Sequence, residues 1–294
     1  AVGHNGYFSY VDLAAMTVQQ TYAVTTNALD IILPTNGWVY VFPQQDQWES
    51  IRCIELATGQ ETNSSGQSIY AGTLTRLHTS EQYIYGANNG LSPSDFEKYD
   101  IRSGTAQVMY DSPYHGDYAF NGNVWVSDDG LRLFARSGNV FRSSENQSED
   151  MLYAGALAGM NYVENLDYST AAGRVFAVPG SWGGPLTPEL RIYEAQFLAL
   201  RGTVTLPSFM APDGSGGGSL YDGYGRYVFA DVTGDSVRVL LRADPVGPGL
   251  GPGRRQAHQA DQPEGCGPPG RPPPRPDGWP VPPCSDLRGQ RCSA

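Results

Sequence analysis

Eight side chains in this sequence have the right chemistry to meet a ligand: Trp48, Tyr114, His115, Asp117, Tyr118, Tyr162, Glu164 and Trp182. They fall in segments rich in turn-forming residues: PQQDQWES (43–50), SPYHGDYAF (112–120), AGMNYVEN (158–165) and PGSWGGPLTPE (179–189). A fifth segment of this kind, ANNGLSPSDF (87–96), carries amides and a carboxylate. Aromatic faces flanked by amides and carboxylates suit a sugar ring or a peptide side chain, because one surface then offers stacking and hydrogen bonds together. The densest patch is Tyr114-His115-x-Asp117-Tyr118. His115 and Asp117 would also serve as a general acid–base pair, the chemistry of an alternative, enzymatic reading.

Other chemistries find little footing. His4, His78 and His115 are scattered over residues 1–244, with no His-x-x-x-His and no cysteine pair at metal spacing, so no metal or cofactor is expected. His78, in LTRLHTSEQ, reads as a hydrogen-bonded structural histidine. No G-x-S-x-G elbow occurs, and DGSGGGS (213–219) lacks the lysine and the strand-to-helix setting of a phosphate cradle. Asp128 and Asp129 precede Gly130 and read as turn formers rather than calcium ligands.

The elements that must position the loops repeat. An aromatic followed by a small or β-branched residue recurs at Tyr40 (GWVYVFP), Tyr85 (QYIYGAN), Phe134 (GLRLFAR), Phe176 (GRVFAVP) and Phe229 (GRYVFAD), at spacings of 45, 49, 42 and 53 residues. Gly37, Gly130, Gly173 and Gly225 each precede one of these runs, which predicts hairpins whose second strand carries the aromatic. A second marker, an acid leading into a polar turn, runs in step at Asp12 (YVDLAAM), Glu55 (CIELATG), Asp100 (KYDIRSG) and Glu194 (IYEAQFL), with a degenerate member near 142–144. After three of them comes a further strand: TVQQTYAV, TAQVMYDS and LRGTVTLP. Four strands in about 45 residues is the repeat of a propeller blade.

The unit of glycine turn, aromatic strand, loop, acid-ended strand and outer strand resembles the YVTN and quinoprotein-like branch of bacterial β-propellers over nearly all of residues 1–244. The expected fold is therefore an all-β propeller of four-stranded blades, five to six of them visible. Residues 7–24 supply a third and fourth strand of an earlier blade, so the chain reads as part of a larger ring. The resemblance implies a loop face around the central channel that holds the ligand. It also leaves room for lactonase, lyase or quinoprotein-type enzymes and for a structural surface repeat.

Composition sets the organisation. Residues 1–244 form the propeller; residues 245–294 hold 13 of the 22 prolines, 9 glycines and three of the four cysteines, with Trp279 as their one aromatic. Such a segment buries too little apolar surface to offset its chain entropy and is expected to be a disordered tail, either a linker or a frameshifted read, with PPPRP (272–276) suited to an aromatic groove. Thirty acids against 19 bases, a net charge of −11, leave no basic cluster for nucleic acid in residues 1–244, and no apolar run reaches the roughly 18 residues of a spanning helix. Lys98 stands alone beside 18 arginines, a mark of a GC-rich genome. The expectation is an exported, secreted, periplasmic or cell-surface bacterial module, non-enzymatic, that binds a protein or a carbohydrate.

Overall fold

Short runs of β-branched and aromatic residues between glycine, asparagine and aspartate turns cannot bury both faces unless sheets stack on sheets. The computed structural model describes residues 2–44, 48–212 and 217–245, and within them every regular element is a strand. The chain is a β-propeller.

Its blades follow in sequence order. Blade 1 comprises Val2–His4, Tyr7–Asp12 and Thr17–Ala23. Blade 2 has Ala28–Ile32, Trp38–Pro43, Arg52–Glu55 and Glu61–Asn63. Blade 3 has Leu74–Leu77, Tyr83–Ala87, Phe96–Asp100 and Gln107–Asp111. Blade 4 has Val124–Val126, Arg132–Ala135, Asn139–Arg142 and Tyr153–Ala156. Blade 5 has Val163–Ser169, Arg174–Pro179, Glu189–Glu194 and Leu200–Thr205. Blade 6 is a sheet of Phe209–Pro212, Gly218–Ala230 and Val237–Pro245, and a two-stranded ribbon joins Trp48–Glu49 to Ile69–Tyr70. All strands within the sheets pair antiparallel.

Tyr40, Tyr85, Phe134 and Phe176 each sit on the second strand of a blade, and their side chains are buried. The hydrophobic clusters lie between successive sheets. Phe8 and Tyr22 meet Val39, Val41 and Ile54 between blades 1 and 2; Tyr40 and Cys53 meet Ile84 and Tyr99 between blades 2 and 3. Phe96 meets Leu133 and Phe141 between blades 3 and 4, Phe134 meets Val175 and Tyr193 between 4 and 5, and Phe176 and Val178 meet Val228 between 5 and 6.

Polar bonds add a second set of links. The innermost strands are bridged by side chains: Asp30 accepts the Thr75 N–H at 2.8 Å, Asn165 the Val228 N–H at 2.9 Å and Asp167 the Ala230 N–H at 2.7 Å. The turns between first and second strands bond one another: Thr35 donates to Glu81, the His78 ring bonds the Gly130 carbonyl at 2.8 Å, Thr170 donates to Asp128, and Ser169 donates to the Val232 carbonyl at 2.9 Å. His78 is thus structural, and Asp128 and Asp129 serve turns, the latter accepting the Leu131 N–H at 2.9 Å.

These links correct one expectation. Gly37, Gly130 and Gly173 lie in hairpin turns at φ of 82°, 72° and 61°, but Gly225 does not. It lies inside the strand Gly218–Ala230, where the register to the partner slips between Gly225 and Tyr227. A Cβ at Gly225 would come within 2.6 Å of a Val178 methyl, so close approach, not turn geometry, selects the glycine. Phe229 follows as part of the innermost strand, flanked by the two amides that Asn165 and Asp167 bind. The true turn is 231–236, with Gly234 at φ 69°, and the second strand is Val237–Pro245. The expected tail, PPPRP included, lies outside the described residues apart from Pro245.

Candidate functional site

In an antiparallel blade, the loop from second to third strand and the loop leading to the next blade leave at the same end. That end gathers the segments rich in aromatic and polar residues. The structure divides the eight singled-out residues among five settings.

Tyr162 and Trp182 line one cleft. The loop before Val163–Ser169 brings Tyr162, and the loop after Arg174–Pro179 brings Trp182, their ring centroids 6.3 Å apart and inclined at 55°. The open space there is about 530 Å³, lined also by Asn121, Asn161, Pro185 and Arg191. Gly180 is required: a Cβ would stand 2.5 Å from the Tyr162 ring, and its N–H donates to the Tyr162 carbonyl at 2.9 Å. The Arg136 guanidinium lies 5.5 Å from the Tyr162 ring centre, and Arg191 is held by Glu189 and by the Gly159 carbonyl, both at 2.7 Å. Trp182 is 85% exposed, an unusual position for the largest apolar ring.

Tyr114 and Tyr118 have another job. They meet edge to face at 4.7 Å, Tyr118 stacks on Tyr153 at 4.1 Å, and the Tyr114 hydroxyl accepts the Tyr153 N–H at 3.0 Å. Both pack on the cluster around Phe141, so these rings are filled by the outer part of blade 4. Glu164 is paired with Arg226, which lies 5.6 Å from the Tyr227 ring. Trp48, 60% exposed, meets the edge of Tyr70 at 5.6 Å on the two-stranded ribbon.

His115 and Asp117 are both exposed, but the carboxylate that the imidazole faces is Asp95: Nδ1 stands 3.5 Å from Oδ2. Asp95, in the loop before Phe96–Asp100, is buried, accepts the Ser112 hydroxyl and accepts its neighbour Phe96 N–H at 2.7 Å. Burial pushes its carboxyl up to about 6. Glu97, which accepts the Tyr99 hydroxyl, is pushed by burial, with Asp95 and Asp111 adding repulsion, up to about 7. Sequence inspection missed Asp95, Glu97 and Asp111 as a group because two separate segments deliver them. The signal was the strand register, which places Glu97 directly opposite Asp111.

On the far side of the same strand, Lys98 is enclosed. Its Nζ donates to Asp150 at 2.8 Å and to the Ser144 carbonyl at 2.7 Å, and lies 4.4 Å from the Tyr83 ring centre and 5.1 Å from that of Tyr85. Asp150 also accepts the Tyr85 hydroxyl at 2.9 Å, the Tyr110 hydroxyl at 3.1 Å and the Ser144 N–H at 2.8 Å.

No family model matches the sequence, and no curated protein matches it either. Among solved structures, a functionally unknown protein from Desulfotomaculum acetoxidans is similar in fold, with a TM-score of 0.56, 13% identity, and coverage of 80% of this chain and 69% of that one. Hydrazine synthase from Kuenenia stuttgartiensis has a TM-score of 0.46 at 11% identity, covering 71% of this chain and 72% of its own. The first likeness is one of fold alone. It selects no activity, since function resides in sites rather than folds. No helix among the described residues is long and apolar enough to cross a membrane.

Proposed function

We propose that this propeller is a non-enzymatic binding module whose loop face takes a carbohydrate in the cleft of Tyr162 and Trp182. The supporting observation is that aromatic pair, inclined at 55° along an open cleft of about 530 Å³. Two rings in a shallow cleft offer stacking surface to the apolar faces of sugars, while Asn121, Asn161 and the backbone around Gly180 offer donors and acceptors to hydroxyl groups. Arg191 is already engaged by Glu189 and Gly159, which leaves the cleft suited to a neutral ligand rather than to a strongly charged one. A YVTN-type repeat ancestry and an exported, envelope-associated setting belong to the same proposal, supported by the sequence repeat.

A glycan array probed with the folded chain tests it. Binding to a defined set of glycans, lost at least tenfold in Trp182→Ala with an unchanged melting temperature, is the expected result. A blank array, with pull-downs from envelope extracts that recover only protein partners through the same cleft, would replace the carbohydrate with a protein ligand. Blank results in both would overturn the binding role.

A further inference from the structure

The acidic group at the loop end of blade 3 is built differently from the surface acids around it. Strand register makes it: Ala87 pairs with Phe96 and Glu97 pairs with Asp111, and the Asn88 N–H continues the ladder to the Asp95 carbonyl at 3.2 Å. Residues directly opposite in an antiparallel pair share a face, with Cβ atoms about 4.5–5.5 Å apart. Asn88, Asp95, Glu97 and Asp111 therefore stand together on one face of the sheet.

Like charges opposite one another destabilise a sheet, and a buried carboxylate calls for a cation. Among the described residues, the one ion-pair partner of these three carboxylates is His115, itself exposed and neutral unless protonated. The contrast with Asp100, which Arg102 grips at 2.5 Å on the same strand, is direct. A second observation is independent of the acids. The Oδ1 of Asn88, a residue 1% exposed, has no hydrogen-bond partner although it stands across the strand pair from Asp95. A buried oxygen left without a partner on the face that carries three carboxylates is open to a metal ion.

We infer that Asp95, Asp111 and His115 bind a divalent transition-metal ion, with Asn88 and Glu97 as neighbouring oxygens. One ligand atom from each of the three lies within 4.8 Å of the others. The Nδ1–Oδ2 separation of 3.5 Å between His115 and Asp95 already matches the edge of a metal polyhedron. Ligands about 2.1 Å from a tetrahedral ion stand about 3.4 Å apart. The imidazole selects zinc, cobalt or manganese over calcium, which takes oxygen ligands. Two anionic carboxylates balance the charge of a dication, and binding closes the distance between Asp111, from the fourth strand, and His115, from the following loop. The ion would thus fasten the loop 112–123 to blade 3.

Titration of the chelator-treated full chain with zinc chloride, followed by calorimetry, tests the assignment. One zinc per chain is expected, with a higher melting temperature in zinc than in calcium. Asp111→Asn and His115→Ala, both at exposed positions, should each weaken zinc at least tenfold while leaving the metal-free melting temperature within about a degree. Cobalt distinguishes this site from the cysteines beyond residue 245: nitrogen–oxygen ligation gives weak visible bands, thiolates an intense charge-transfer band. Zinc affinity unchanged in the Asp111→Asn/His115→Ala double variant, a thiolate band in the cobalt spectrum of the wild type that survives in that variant, or no zinc bound at all would each overturn the proposal.

Discussion

The two faces of the strand Phe96–Asp100 meet the same physical problem and treat it oppositely. Toward blade 4, Asp150 is fully buried and receives Lys98, two tyrosine hydroxyls and two backbone amides. Toward blade 2, Asp95, Glu97 and Asp111 share a face with one exposed histidine. The difference teaches how to separate architecture from function inside a repeat fold. A charged group with its counter-charge supplied by the chain is a fastening; a group of acids without a buried counter-charge points to something the chain does not encode.

The comparison breaks most visibly at Lys98. Lys98→Met leaves Asp150 charged and buried without its cation, and urea unfolding should show a loss of about 3–5 kcal/mol. An unchanged midpoint would mean that the pair is not a fastening. Next in size, Tyr85→Phe removes one donor to Asp150 and should lower the same unfolding free energy by about 1–3 kcal/mol.

The opposite face is sharpened by pH. Asp95 and Glu97 ionise at higher pH in the folded chain than in the unfolded one, so in the metal-free protein the unfolded state releases its protons first. Stability is fully present below about pH 4 and falls as pH rises through about 7. Urea midpoints at pH 5 and pH 8 measure the fall, and Glu97→Gln should flatten it; a protein equally stable at both would contradict the picture. The smallest effect belongs to the cleft. Trp182→Ala, at an 85% exposed position, should change unfolding free energy by no more than about 0.5 kcal/mol. A large loss would make Trp182 a packing residue, as Tyr118 is.

The propeller was legible because its markers are local. A glycine before an aromatic run at Gly37, Gly130 and Gly173 names a hairpin, and the acid at Glu55, Asp100 and Glu194 ends a third strand. Even the degenerate position near 142 is a third strand, Asn139–Arg142. Gly225 misled because a glycine chosen for close approach looks the same in sequence as one chosen for positive φ. The sites were less legible, since aromatics in a loop read alike whether they face solvent, as Trp182 does, or pack on the next blade, as Tyr114 and Tyr118 do. The group around Asp95 was hidden for a further reason. Opposition of Glu97 and Asp111 depends on a register that slips between Lys98 and Tyr99, and no spacing rule reports a bulge.

The bonds between turns and between innermost strands each run from one blade to the next: Thr35 to Glu81, His78 to Gly130, Asp128 to Thr170, Ser169 to Val232. Energetically the molecule is then a row of couplings between nearest neighbours, so cooperativity travels along the row rather than through a common centre. Damage in blade 3, where the Lys98 fastening and the Asp95 group sit on opposite faces of one strand, therefore weakens the coupling to blade 2 and to blade 4 together. A ligand held at blade 3 would accordingly steady both of its neighbours at once.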